Sequence, residues 1–262
     1  PGILDDPEVG PEAARVLADA QALLDAAQAD GSLSVRGVCG LFPAARDGDD
    51  VVIYADESRR GERLRVPFLR QQRRSRAGSP NLSLADWIAP TDGPPDALGA
   101  FVVAVDGAAR LAAAAEAAGD DYAAILAKAV ADRLAEAGAE WLHREVRRVY
   151  WGYAPDEDLD GEALLAERYR GIRPAPGYPA CPDHVAKRFI FALLGAEAAV
   201  GAALTETFAI EPAASVAGWY LAHPEARYFG MGRIGRDQLE DFARRAGLDP
   251  EKAARLLAAN LD

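Results

Sequence analysis

Residues 173–184 read RPAPGYPACPDH, with four prolines in twelve positions, and no other stretch limits the fold so firmly. Proline fixes its own φ, removes a backbone donor and biases the residue before it towards extended geometry. Arg173, Ala175, Tyr178 and Cys181 are therefore held out of helix. A loop this stiff gives up little entropy when something binds to it. The plainer reading is a rigid connector between two helices.

The flanks of the loop alternate between helical and strand-like patterns. DPEVGPEAARVLADAQALLDAAQADG spaces its apolar residues at helical intervals and ends on glycine, which predicts an amphipathic helix with a C-cap. VRGVCGLFPA, DDVVIYADE and ALGAFVVAVDG are short β-branched and aromatic runs bounded by turn residues, so each is an expected strand. An Ala- and Leu-rich helical region runs from about Leu111 to Val149, with a break near Gly119. Beyond the loop, HVAKRFIFALLGAEAAVG predicts a helix, and LTETFAIEPAASVAGWYLAHPEARYFGMGRI predicts strands joined by turns. RDQLEDFARRAG and DPEKAARLLAAN predict two short closing helices. Strands linked by short turns favour an antiparallel sheet, and no repeat or linker marks a boundary. The expected fold is α+β, a single domain over residues 1–262 with a bent antiparallel sheet flanked by helices.

At 262 residues, half of them hydrophobic, the chain has room for a sizeable core. Its formal charge of -12 argues against a general nucleic-acid binder, which needs surplus Lys and Arg on its binding face. Cys39 and Cys181 are far apart and show neither CxxC nor zinc spacing, so a reducing compartment, by default the cytoplasm, is expected. No apolar run approaches the roughly 18 residues of a membrane span, and no signal peptide is recognisable. The chain starts at Pro1 without an initiator methionine, as expected of a piece cut from something longer.

Several motifs lose weight on inspection. GMGRIG at 230–235 matches GxGxxG, yet the dinucleotide fingerprint needs a βαβ unit, and the 27 residues after Gly235 read as two helices. AASVAG around Ser215 lacks the GxSxG elbow of a hydrolase. Eight arginines from Arg59 to Arg76 are opposed within that stretch by Glu62 alone. They form a solvated face or a surface that steers an acidic partner.

Asp132, Glu136, Glu140 and His143 follow one another at spacings of four, four and three, which puts them on one helix face. Stacked carboxylates are mildly unfavourable, by roughly a few tenths of a kcal/mol, so something should compensate them. Solvent or salt bridges to Arg133 and Arg144 would do so. Metal ligation is the weaker alternative, because neither HExxH nor a carboxylate-x-x-His repeat supports it, and no metal site is expected.

ADRLAEAGAEWLHREVRRVYWGYAPDEDLDGEALLAERYRGIRPAPGYPACPDH, followed by LTETFAIEPAASVAGWYLAHPEARYF, resembles the activation domain of cobalamin-dependent methionine synthase. The likeness extends from RGVCGLFPA through RDQLEDFARR. That family binds S-adenosylmethionine, and its RxxxGY signature falls on Arg173, Gly177 and Tyr178. The resemblance makes the stiff loop a ligand cradle. Arg173 would clamp the ligand α-carboxylate by a charge-assisted bond, Gly177 would let backbone come close, Ala175 would offer its carbonyl and amide, and Tyr178 an aromatic wall.

The same resemblance implies the function. The parent enzyme transfers methyl from 5-methyltetrahydrofolate to homocysteine, and its cobalamin, carried on a neighbouring domain, is occasionally oxidised to cob(II)alamin. The activation domain then presents S-adenosylmethionine for reductive methylation back to methylcobalamin, with an electron from flavodoxin or a similar reductase. Positioning is the main requirement of such a transfer, so no catalytic acid, base or nucleophile is expected. Asp132 and Glu136 match the acidic pair that meets the cobalamin domain. Two departures stand out: a ligand-contacting aspartate of the family belongs to a segment upstream of Pro1, and the usual tyrosine pair is Tyr228 and Phe229 here. The alternative is a docking module for the cobalamin domain and a reductase that holds no ligand.

Overall fold

The structure is a computed structural model that describes residues 2–73, 78 and 80–261. Helix α1 (Gly10–Asp30) ends at Gly31, and the long strand β1 (Ser34–Asp47) follows. Then come β2 (Asp50–Tyr54), β3 (Glu62–Pro67) and β4 (Asp96–Asp106). Helices α2 (Ala108–Ala117) and α3 (Asp121–Glu145) flank the expected break at Gly119. The chain continues through α4 (Gly161–Leu165), α5 (Ala186–Leu194), α6 (Ala196–Val200), β5 (Ala203–Leu204), β6 (Ile210–Glu211), β7 (Ser215–Tyr220), α7 (Arg236–Ala246) and α8 (Pro250–Leu256).

Five strands form one antiparallel sheet in the order β3-β2-β1-β4-β7, so the fold is α+β as expected. Strand β4 is an interior strand, paired along β1 from Ser34↔Asp106 to Ala44↔Asp96 and along the edge strand β7 from Gly99↔Tyr220 to Ala104↔Ser215. Alternation along β4 separates two apolar layers. Leu98, Ala100, Val102 and Ala104 pack with Ile190 and Leu193 of α5, and with Leu239 and Phe242 of α7. Phe101 and Val103 face the other way, against Ala139 and Leu142 of α3. Burying such side chains contributes roughly 1.5–3 kcal/mol each, which fixes the register and seats α3 over the site side of the sheet.

Three expectations need correction. The Arg-rich stretch contains β3, whose Val66 and Pro67 are buried although charged residues surround them in sequence. Gly195, with φ +57°, divides the helix expected after the proline loop into α5 and α6. Residues 222–233, expected to include a strand under positions 228 and 229, carry no strand.

The arginine stripe is also far less bare than its sequence. Arg70 makes a bidentate pair with Asp86, 2.8 Å for each bond, and reaches Asp49 at 2.6 Å. Arg65 pairs with Asp47, Asp50 and Glu62. Apart from Glu62, these partners come from β1, β2, the turn between them and the segment after the stripe, which a charge count along one stretch cannot see. Arg59, Arg60, Arg63 and Arg73 make no ion pair among the described residues; Arg74 and Arg76 lie outside them.

Candidate ligand-binding site

The proline loop lies flat along β7 because backbone bonds stitch it there. The Trp219 N–H donates to the Pro174 carbonyl at 3.0 Å, and Ile172 and Leu221 exchange bonds of 3.0 Å. Gly218 permits this approach: a Cβ there would stand 2.8 Å from the Pro174 oxygen. Within the loop, the Gly177 N–H donates to the Cys181 carbonyl at 2.7 Å, and the Cys181 N–H donates to the Tyr178 carbonyl at 2.9 Å. On its far side, the Met231 N–H donates to Pro179, which draws in the segment bearing Tyr228 and Phe229.

These contacts bound a cavity of about 540 Å3 between the loop, α3 and the 228–229 segment. Arg173, Ala175, Tyr178, Tyr228 and Phe229 all line it. The Tyr228 hydroxyl accepts from the Arg173 backbone N–H at 3.0 Å, so this tyrosine pins the start of the loop. Gly177 lies outside that lining and next to His184: with φ +99°, a Cβ on it would be 2.5 Å from His184 Cε1. Its glycine requirement therefore has a structural origin within the chain. GMGRIG is held by glutamines, the Gly230 carbonyl accepting from Gln71 and the Gly235 N–H donating to Gln72. The Ser215 hydroxyl donates to the Pro212 carbonyl.

The face expected on α3 turns from solvent to core along its length. Asp132 and Glu136 are exposed, Glu140 is half-buried and His143 is fully buried. Glu136 pairs with Arg133 at 2.9 Å and also lines the cavity, although the family resemblance assigns it to docking; Asp132 stands outside the lining. Glu140 and His143 instead support Arg173. Glu140 meets the Arg173 Nη2 at 2.6 Å, the Tyr169 hydroxyl accepts from Nη1 at 2.6 Å, and His143 Nδ1 lies 3.4 Å from Nη1.

Behind these groups stands a buried polar and aromatic column. His143 stacks on Tyr220 at 5.0 Å, and Tyr220 stacks on Phe101 at 4.7 Å. Arg147 is wholly buried, binds Glu157 through bonds of 2.8 and 2.7 Å, and lies over the Tyr169 ring at 4.1 Å. Burial, reinforced by the Arg147 and Arg173 charges, holds His143 well below the ordinary histidine range, so the ring is neutral at pH 7. Burial also pushes the Tyr169 hydroxyl up to about 12. The arginine is thus fixed by Glu140, Tyr169 and His143, of which the tyrosine and the histidine stay neutral at pH 7.

Glu167 is a wall residue that sequence reasoning misses. Its φ of +53° is rare outside glycine, but nothing in the surrounding residues announces it. Phe101 and Val216, from neighbouring strands, complete an apolar wall, and their sequence context marks them only as strand residues.

Fold and cavity together define an α+β domain whose main cavity is walled by an arginine, two glutamates and aromatic side chains. The model of the family "Vitamin B12 dependent methionine synthase, activation domain" matches residues 1–247, and the chain belongs to that family. The solved structure described as "Crystal Structure of the MetH Reactivation Domain bound to AdoHcy" is 51% identical, with a TM-score of 0.96. The match covers 100% of this chain and 81% of that one.

Proposed function

We propose that this chain binds S-adenosylmethionine in the Arg173 cavity and presents its methyl group during reductive reactivation of cobalamin-dependent methionine synthase. The observation that carries the reading is the fixed Arg173 guanidinium at one end of a cavity whose other walls are aromatic and acidic. A volume of about 540 Å3 lies within the range for small-molecule sites. Adenosylhomocysteine in the related reactivation domain is the demethylated form of this donor and supports the same reading.

The residues present fit such a ligand. Arg173 has N–H groups beyond those given to Glu140 and Tyr169, and these take the α-carboxylate. Glu136 and Glu167 supply negative charge for the ammonium and sulfonium groups. Phe101, Tyr178, Tyr228 and Phe229 offer ring surface to adenosine. Cobalamin, carried by a neighbouring domain of the parent enzyme, supplies the metal centre that accepts the methyl. A sulfonium is already a good leaving group, so this chain's residues bind, orient and exclude water and need not move a proton. Asp132 and Glu136, exposed beside the cavity on α3, form the face on which the cobalamin domain docks. A flavodoxin-like reductase supplies the electron.

Calorimetric titration with S-adenosylmethionine tests the reading. The chain should give saturable heat, and Arg173→Ala should bind one to two decades more weakly while remaining folded, at a lower unfolding temperature because Glu140 loses its partner. That range follows from the roughly 1.5–3 kcal/mol of a hydrogen bond to a charged group. No heat from the unaltered chain would favour the docking module that holds no ligand.

A further inference from the structure

The reverse side of the proline loop walls a second cavity, of about 660 Å3, closed by the 207–213 segment, β7 and the end of α8. Its charged lining consists of His184, Lys187 and Arg255, with no aspartate or glutamate. In a chain with 41 acids and 29 Lys and Arg, such a concentration of base without acid calls for an account. Lys187 is the central group. It is only 9% exposed, and its ammonium donates to the Phe208 carbonyl at 3.0 Å and to His184 Nδ1 at 2.9 Å. Accepting at Nδ1 places the neutral His184 proton on Nε2, where it can be donated.

No carboxylate pairs with Lys187 among the described residues; the lysine salt bridge found there is Lys128–Glu116. The nearby buried Asp183 accepts from the Ala186 N–H and the Cys181 thiol. Arg255 likewise has no ion pair there. A nearly buried ammonium with no ion pair, on which Asp183 acts only at longer range, is costly, and burial draws Lys187 and His184 below their ordinary values. An anion in this cavity would remove that cost. The Thr207 hydroxyl shares a bond of 3.2 Å with the Thr205 hydroxyl and adds a donor when Thr205 donates to it, whereas the Ser215 hydroxyl donates to Pro212. Donors thus come from α5, α8, the proline loop and the 207–213 segment, which suits a several-sided oxyanion better than a planar carboxylate.

We infer that this second cavity is a phosphate-binding site, served by Lys187, Arg255, His184 and Thr207 and distinct from the Arg173 cavity. It makes no use of the S-adenosylmethionine reading, and its test contains none of that ligand. Inorganic phosphate is titrated into the 15N-labelled chain at constant ionic strength, with chloride as the balancing salt, and amide shifts are followed. Saturable shifts centred on Gly177, His184, Lys187, Thr207 and Arg255 are expected, and they should be absent with chloride alone. Lys187→Met should abolish them. Arg255→Gln, at an exposed position, and Thr207→Val should each weaken binding at least several-fold; these two decide the matter if the Lys187 variant does not fold. Ribose 5-phosphate distinguishes the sources: tenfold tighter binding than phosphate assigns the site to the phosphate of an organic ligand, and equal or weaker binding assigns it to the free ion. Absent shifts, equal shifts with chloride, or unchanged affinity in both the Arg255 and Thr207 variants would overturn the assignment.

Discussion

The Arg173 guanidinium and the Glu140 carboxylate meet at 2.6 Å at the edge of the main cavity, so the arginine proposed to take a ligand carboxylate already holds a carboxylate of its own chain. This pairing has two opposed effects. It fixes the guanidinium, together with Tyr169, and it lowers the positive charge that a ligand meets.

Glu140→Gln separates these effects. The amide oxygen can still accept from Arg173, while the competing charge is gone. S-adenosylmethionine should bind several-fold more tightly to this variant, and Glu140→Ala, which also loses the positioning bond, should bind more weakly than Glu140→Gln. Calorimetry on both variants reads the order directly. A weaker ligand complex in Glu140→Gln would mean that the negative charge itself is needed.

His143 gives the fold a pH dependence of known sign. Its folded value lies well below 6.5, so the unfolded chain takes up a proton that the folded chain refuses. Stability from this group is complete above about pH 6.5 and declines as the pH falls below it, by at most about 1.4 kcal/mol per pH unit. Asp183, pushed up to about 6 by burial, works in the opposite direction: its share is present at low pH and is lost as the pH rises through 6. Comparing urea midpoints of the unaltered chain and His143→Phe cancels Asp183, because both proteins carry it. Relative to the variant, the unaltered chain should lose stability between pH 7 and 5. A constant difference across that range would show that His143 is not the responsible group.

Strands β1, β2, β4 and β7, the α2–α3 break and the stiffness of the proline loop were legible because each rests on local chemistry: β-branched runs, a glycine, prolines. What escaped depends on residues distant in sequence. β3 was hidden because its Arg65 is matched by Asp47 and Asp50, at the facing ends of β1 and β2. Gln71 appeared as one more polar residue in a basic stretch, yet it is 1% exposed and donates to the Gly230 carbonyl at 2.6 Å across 159 positions. Glu140 and His143 were placed correctly on one face, but only the fold shows that this face turns inward and ends at Arg173.

Gly177→Ala should destabilise the proline loop through two separable causes. A side chain at φ +99° is strained, and its Cβ would overlap His184. The variant should lose at least about 1 kcal/mol of stability. Adding His184→Ala should recover part of the loss but not all, since the backbone strain remains. Thermal unfolding of both single variants and the double variant measures this non-additivity, and strictly additive losses would exclude the proposed overlap.

Asp132 and Glu136 are one helical turn apart, yet they should respond differently to neutralisation. Asp132 is exposed and outside the cavity, whereas Glu136 is exposed and also on its wall. If the α3 face receives the cobalamin domain, Asp132→Asn in the intact parent enzyme should slow reductive reactivation while leaving S-adenosylmethionine affinity within about twofold. Glu136→Gln should slow reactivation and weaken the ligand as well, because in the proposed complex its carboxylate would face the cationic part of the donor. Exposed charges are screened over roughly 8 Å at physiological ionic strength, so the Asp132 defect should shrink as salt is added. The Glu136 effect on ligand affinity, exerted at short range inside the cavity, should persist. Reactivation rates across a salt series, set beside calorimetry on the same variants, test both halves. Normal reactivation in Asp132→Asn at low salt would remove that residue from the docking face, and unchanged ligand affinity in Glu136→Gln would return Glu136 to a docking role alone.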